Sequence, residues 1–177
     1  MKVIKWLVGI VLVLAVVLVG GGMLISPKFS VTRSALVQAP PEKVYPLVAS
    51  PKAWKTWSVW TQRDPQMQID YRGAESGVGA VWEWKSKDQG DGRMSFVAAE
   101  PNRRVVYELF FPDFGTTSTG SIAFVPEASG TRVTWTMDGD FGSNPLFRWF
   151  APFADKMVGA DFEAGLANLK ALAEQRG

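Results

Sequence analysis

The segment from Asp155 to Gln175 reads as a single long helix, and a helix of this kind needs something flat to lie against. Val158, Phe162, Leu166, Leu169 and Leu172 recur at steps of three and four, the spacing of one helical face. Asp161, Glu163, Lys170 and Glu174 fall between them and can stay in water. No proline interrupts the run, and Gly177 closes it. At the end of a strand-rich chain, such a helix predicts a sheet wrapped around it.

Short alternating segments bounded by turn residues supply the sheet. Phe29 to Gln38 places Phe29, Val31, Arg33, Ala35 and Val37 on one side. Further strands are predicted over Met67 to Arg72, Ala80 to Ser86, Arg93 to Ala99, Arg104 to Phe111, Thr117 to Pro126 and Thr131 to Gly139. Most are joined by hairpin-length turns, so the expected sheet is seven-stranded and antiparallel. Between the first two strands, Ala39-Pro40-Pro41-Glu42 opens a helix that Pro46 should keep short or kinked. Trp54, Trp57 and Trp60 follow, and three indoles so close in sequence should pack inward.

Trp6 to Ile25 is twenty residues without a charge, and thirteen of them are Val, Leu or Ile. That is long enough to cross a hydrocarbon core of about 30 Å. The apolar residues favour insertion by about 4 to 8 kcal/mol. Lys2 and Lys5 precede the run, which by the positive-inside rule puts the N-terminus in the cytoplasm and the remainder outside it, in the periplasm of a bacterium. A cleaved signal peptide is the competing reading, with small residues at Gly20 to Gly22. The full run to Ile25 and the lack of an Ala-x-Ala site favour an uncleaved anchor. The expected organisation is a single-pass membrane anchor over residues 1–25 and one α+β domain over 26–177.

Beyond the anchor, seventeen basic residues face seventeen acidic ones, a balance that lacks the footprint of a nucleic-acid binder. The chain has no Cys and no His, which removes thiol nucleophiles, zinc-thiolate sites and the commonest general base.

Several stretches resemble a known superfamily. Ala39-Pro40-Pro41-Glu42-Lys43-Val44-Tyr45 is similar to the helix start after the first strand in SRPBCC (START-like) proteins, and Trp54-Lys55-Thr56-Trp57-Ser58-Val59-Trp60 to their tryptophan-rich segment. Gly77-Val78-Gly79-Ala80, Gly130-Thr131-Arg132-Val133-Thr134-Trp135 and Phe162-Glu163-Ala164-Gly165-Leu166-Ala167-Asn168-Leu169-Lys170 extend the likeness over Phe29 to Gln175. The chain most resembles the polyketide cyclase/dehydrase-type branch with an N-terminal membrane helix. The resemblance implies a helix-grip fold with a cavity between helix and sheet. It names no particular chemistry, since the superfamily holds carriers as well as cyclases.

The expected site is therefore a pocket for a hydrophobic small molecule or lipid, with no cofactor and no metal. Trp57, Trp82, Trp84, Phe96, Tyr107, Trp135 and Phe162 are large enough to line it. Tyr71, Thr119, Ser121 and Asp138 are the candidate polar groups, and Gly165 would leave room on the helix for a strand or a ligand. A solid aromatic core is the alternative. Acid–base chemistry would have to use Tyr71 or Asp138, because alternation puts Glu83 and Glu108 on the outer face. Asp88 and Asp91 sit among glycines but lack the other ligands of a calcium loop, so a strand-to-strand turn is expected there. Phe147, Trp149 and Phe150 are either the bed of the last helix or an exposed patch for a membrane, a lid or a protein partner.

Overall fold

The structure is a computed structural model that describes residues 2–113 and 115–175. Helix α1 (Lys2–Leu24) is followed by strand β1 (Lys28–Val37) and three short helices, α2 (Pro41–Ala49), α3 (Pro51–Trp54) and α4 (Val59–Arg63). Six strands come next: β2 (Gln68–Gly73), β3 (Ala80–Lys85), β4 (Gly92–Glu100), β5 (Arg104–Phe111), β6 (Thr116–Glu127) and β7 (Gly130–Asp140). After α5 (Pro145–Arg148) and a single 3-10 turn, α6 (Ala154–Gln175) ends the described chain. Gly177, expected to close this helix, lies outside the described residues.

The strands form one antiparallel sheet in the order β1-β7-β6-β5-β4-β3-β2. Successive hairpins account for every neighbour except β1, which pairs with β7 and puts β1 and β2 on opposite edges. The chain between β1 and β2 crosses the inner face, and this is where α2 to α4 sit. Pro46 lies inside α2, which stops after nine residues. Two indoles then complete the end of α2. Trp57 Nε1 donates to Leu47 O at 2.8 Å and Trp54 Nε1 to Val48 O at 2.7 Å, satisfying carbonyls that a helix terminus leaves without partners.

Helix α6 lies along β1 and is clamped to it by polar contacts at both ends. Arg33, on the inner face of β1, donates to Asp155 at 2.8 Å and to Glu163 at 2.6 Å. At the other end Lys170 Nζ donates to Leu36 O at 2.7 Å, and the Gln38 amide donates to Glu174 at 2.7 Å. Between the clamps Phe162, Leu166, Leu169 and Ala173 are buried against the sheet. Val158 and Leu172 of the expected apolar face are half-buried beside them. This is the helix-grip arrangement, an α+β fold in which a sheet holds one long helix.

Helix α1 is long and apolar enough to cross a membrane, and nearly all of it is exposed in the isolated chain. Its last turns rest on α5 and Trp149. The Phe147–Phe150 region is therefore the bed of the first helix, where the sequence offered the last helix as the occupant.

Candidate ligand pocket

The middle of α6 meets the sheet through a closed aromatic stack. The Phe162 ring lies parallel to Trp135 with centroids 4.0 Å apart. Trp57 and Trp54 each meet Trp135 edge-on at 5.5 Å, and Trp54 contacts Trp82 at 5.2 Å, which contacts Phe96 at 5.7 Å. Gly165 serves this stack: a Cβ there would stand 3.0 Å from Cζ3 of Trp135 and 3.6 Å from Cζ3 of Trp57. Its missing side chain makes room for a core ring.

The open space lies to one side, over the half of the sheet that α6 does not cover. A cleft of about 200 Å³ has the inner faces of β2 to β5 as its floor: Ile69 and Tyr71, Trp82 and Trp84, Met94, then Tyr107, Leu109 and Phe111. Met137 of β7 closes one side, and Trp54, Ser58, Trp60 and Thr61 form the roof. Val158 and Asp161, in the first turns of α6, make the end wall. An apolar cavity of about 150 Å³ is enough to hold benzene, so this one has room for one or two fused rings or a short stretch of acyl chain. Its methionines, Met67, Met94 and Met137, can change rotamer and adapt the walls to different shapes.

Few polar groups reach this space. Tyr107, fully buried, is directly opposite Gly120 across β5 and β6, and its ring lies where a Gly120 side chain would be. Laid flat in this way, its hydroxyl reaches β7 and accepts from Trp135 Nε1 at 2.7 Å. Burial holds the Tyr107 pKa well above the usual phenol value, so the group is a neutral hydroxyl that retains a proton to donate. Burial also raises Tyr71, half-buried in the β2 wall. Asp161 is already committed: its carboxylate accepts from Trp60 Nε1 at 2.9 Å and from both terminal nitrogens of Arg63. Thr61 Oγ1 donates to Ser58 O at 3.0 Å. The arrangement can hold an apolar body against two tyrosines, and its one carboxylate is held in an ion pair.

Of the sequence candidates, Tyr71, Trp82, Trp84 and Tyr107 are brought together around this cleft. Trp57, Phe96, Trp135, Phe162 and Gly165 are not in its wall; they belong to the closed stack. Asp138 requires a correction. It sits between Met137 and Gly139 on β7, opposite Thr119 and Ser30, and is exposed on the outer face of the sheet. Thr119 and Ser121, with the same parity, also face outward. Ile69, Met94, Leu109, Phe111 and Met137 were missed. Each is two residues from an inner-facing aromatic in its own strand, except Phe111, which is four residues from Tyr107, so strict alternation alone would have found them all. The Asp88–Asp91 segment is a turn in which Asp91 Oδ1 accepts from the Ser86 amide at 3.1 Å, and Gly92, the first residue of β4, lies beneath the Trp84 ring. A second hollow, on the outer face, is lined by charges that pair with one another, among them Arg72 with Asp70 at 2.7 Å and with Glu83 at 3.3 Å.

Comparison with known proteins agrees with this fold. The family model described as polyketide cyclase / dehydrase and lipid transport matches residues 28–174. The chain belongs to that family. The branch of the SRPBCC superfamily expected from the sequence is therefore the observed one. Among solved structures, a protein from Chromobacterium violaceum shares the fold with a TM-score of 0.61 at 19% identity, covering 82% of this chain and 96% of that one. One from Mesorhizobium loti gives 0.58 at 21% identity, with 84% and 98% covered. The di-domain ARO/CYC StfQ from the steffimycin biosynthetic pathway gives 0.63 at 16% identity; the match covers 84% of this chain and about half, 51%, of StfQ. At these identities the likeness is one of fold. No curated protein matches the sequence.

Proposed function

We propose that this family member is a membrane-anchored binding domain that holds a small hydrophobic molecule, or the apolar end of a lipid, and releases it unchanged. The observation that carries the reading is the apolar cleft over β2 to β5, with its adaptable methionines and its aromatic floor. The family's association with lipid transport supports the same class of ligand. Helix α1 supplies the anchor: Val3–Leu24 is 22 residues with a mean hydropathy of 2.8 and little of it buried. Lys2 and Lys5 orient its start toward the cytoplasm, which leaves the domain, residues 26–177, outside.

The test is titration of the full chain, held in mild detergent, with a two-ring fluorescent naphthalene probe. The expected result is saturable binding of one probe per chain, competed by fatty acid or by polycyclic aromatics. Linear, non-saturating uptake unaffected by blocking the cleft would sink the idea. A cyclase-like reaction is the second reading, favoured by one group: the Tyr71 side chain, set in an apolar wall with its pKa raised by burial. Turnover of a polyketone substrate that is lost in Tyr71→Phe with probe binding retained would establish it in place of simple binding.

A further inference from the structure

We propose that the segment from Leu146 to Met157 is a membrane-contact surface, seated in the interfacial layer of the bilayer by a rigid joint between α1 and the domain. The inference rests on α1 being a membrane span. The joint is made by glycines. Gly21 faces Trp149 so closely that a Cβ would stand 2.6 Å from Cζ2 of the indole, and a Cβ on Gly22 would fall on the Pro145 carbonyl. Trp149 Nε1 donates to Leu18 O at 2.9 Å, and the Phe141 amide donates to Pro27 O at 3.0 Å. Only Ile25 to Pro27 separate α1 from β1, so the domain is bolted to the helix end and has no swinging linker.

The joint fixes the level at which the neighbouring side chains lie. Leu18 is six residues before the end of α1, about 9 Å along the axis at 1.5 Å per residue. A tryptophan bonded at that level lies within the depth of about 5–10 Å to which interfacial segments bury their apolar side chains. Leu146 and Phe150 are exposed beside it, and Phe153 and Met157 are 58% and 59% exposed on the next turns. Exposed Lys156 lies within the segment and exposed Lys28 directly follows the joint, the charge that anionic headgroups attract. Val158, next to Met157, already lines the cleft, which puts one wall of the pocket beside this surface.

The chain has no cysteine, so single substitutions can carry a nitroxide without background. Phe150→Cys, Phe153→Cys and, as the far-end reference, Val125→Cys would be labelled in the full chain and reconstituted into vesicles of zwitterionic and anionic phospholipid. Labels at 150 and 153 should be relaxed by oxygen and shielded from a water-soluble nickel chelate, with the order reversed at 125. Adding Gly22→Leu should move the 153 label toward the values at 125. If 150 and 153 are as open to the chelate as 125, in a chain that resists carbonate extraction, the contact surface is wrong and the anchor stands. If Gly22→Leu changes nothing, the joint is wrong. Release of the chain by carbonate removes the anchor reading and this inference with it.

Discussion

Replacing Tyr107 with Phe removes a single oxygen and leaves the ring free to keep its place over Gly120 and its edge contact with Trp54 at 5.7 Å. What changes is the fate of the Trp135 indole N–H. Trp135 is fully buried, and the Tyr107 hydroxyl at 2.7 Å is the acceptor of that proton. A buried donor left without a partner costs about 1–3 kcal/mol. For a domain of this size that corresponds to a fall of roughly 2–12 °C in Tm. Denaturant unfolding followed by near-ultraviolet circular dichroism reads the loss directly. The attribution is checked by the double substitution: in a Trp135→Phe background the donor is already gone, so the Tyr107→Phe step should cost less by about 1–2 kcal/mol. A Tyr107→Phe protein within about 0.5 kcal/mol of the parent, or two substitutions that simply add, would refute this account of the buried pair.

Gly120→Ala puts a methyl where the Tyr107 ring lies and should destabilise by about 1–3 kcal/mol through overpacking, measured by the same unfolding curves. Ile69→Trp, on the half-buried floor of the cleft, should weaken naphthalene-probe binding at least about tenfold, or about 1.4 kcal/mol, while leaving the unfolding midpoint near that of the parent. Burial raises all three tyrosines, Tyr45, Tyr71 and Tyr107, so the unfolded chain loses their protons first, near pH 10. Stability is then intact below about pH 10 and falls as pH rises toward the folded values; tyrosinate absorbance should show the native titration displaced above the unfolded one. On the acid side, the hydrogen bond from Arg33 depresses Asp155, and the Gln38 amide depresses Glu174. Their stabilisation is present above the unfolded carboxylate pKa and is lost as pH falls through the depressed values. Carboxyl carbon NMR should show the Asp155 midpoint moving up in Arg33→Gln.

Most of the fold was written in local patterns. Strand β5 was expected at Arg104 to Phe111 and found there, because it is a short run rich in β-branched and aromatic residues and Pro101-Asn102 marks its start. The start of α2 followed from Pro40 and Pro41, and its shortness was expected from Pro46, which lies inside the nine-residue helix. The partner of the Phe147–Phe150 segment was not legible. Which helix packs on an apolar segment depends on where the chain returns in space, and only the structure places Gly21 and Gly22 of α1 against it.

The site separates into one part that alternation could have settled and one that it could not. Trp135 and Met137 point inward on β7, so Asp138 had to point outward. It was chosen for its chemistry against its parity. Depth along a face is a different matter. Trp135 and Tyr107 share the inner face and even a hydrogen bond, yet one stacks on α6 and the other walls a cleft. The difference comes from the position of α6, clamped along β1 by Arg33, Lys170 and Glu174 at the far edge from β2. Where the helix lies, Phe162 and the indoles close the space, and Gly165 lets Trp135 come close enough to do so. Past Val158 and Asp161, toward β2, the side chains of α6 no longer reach the sheet, and the roof over β2 to β5 is left to Trp54, Ser58, Trp60 and Thr61. The cleft is the volume the clamped helix cannot reach, and its place follows from polar contacts between α6 and β1 that lie outside it.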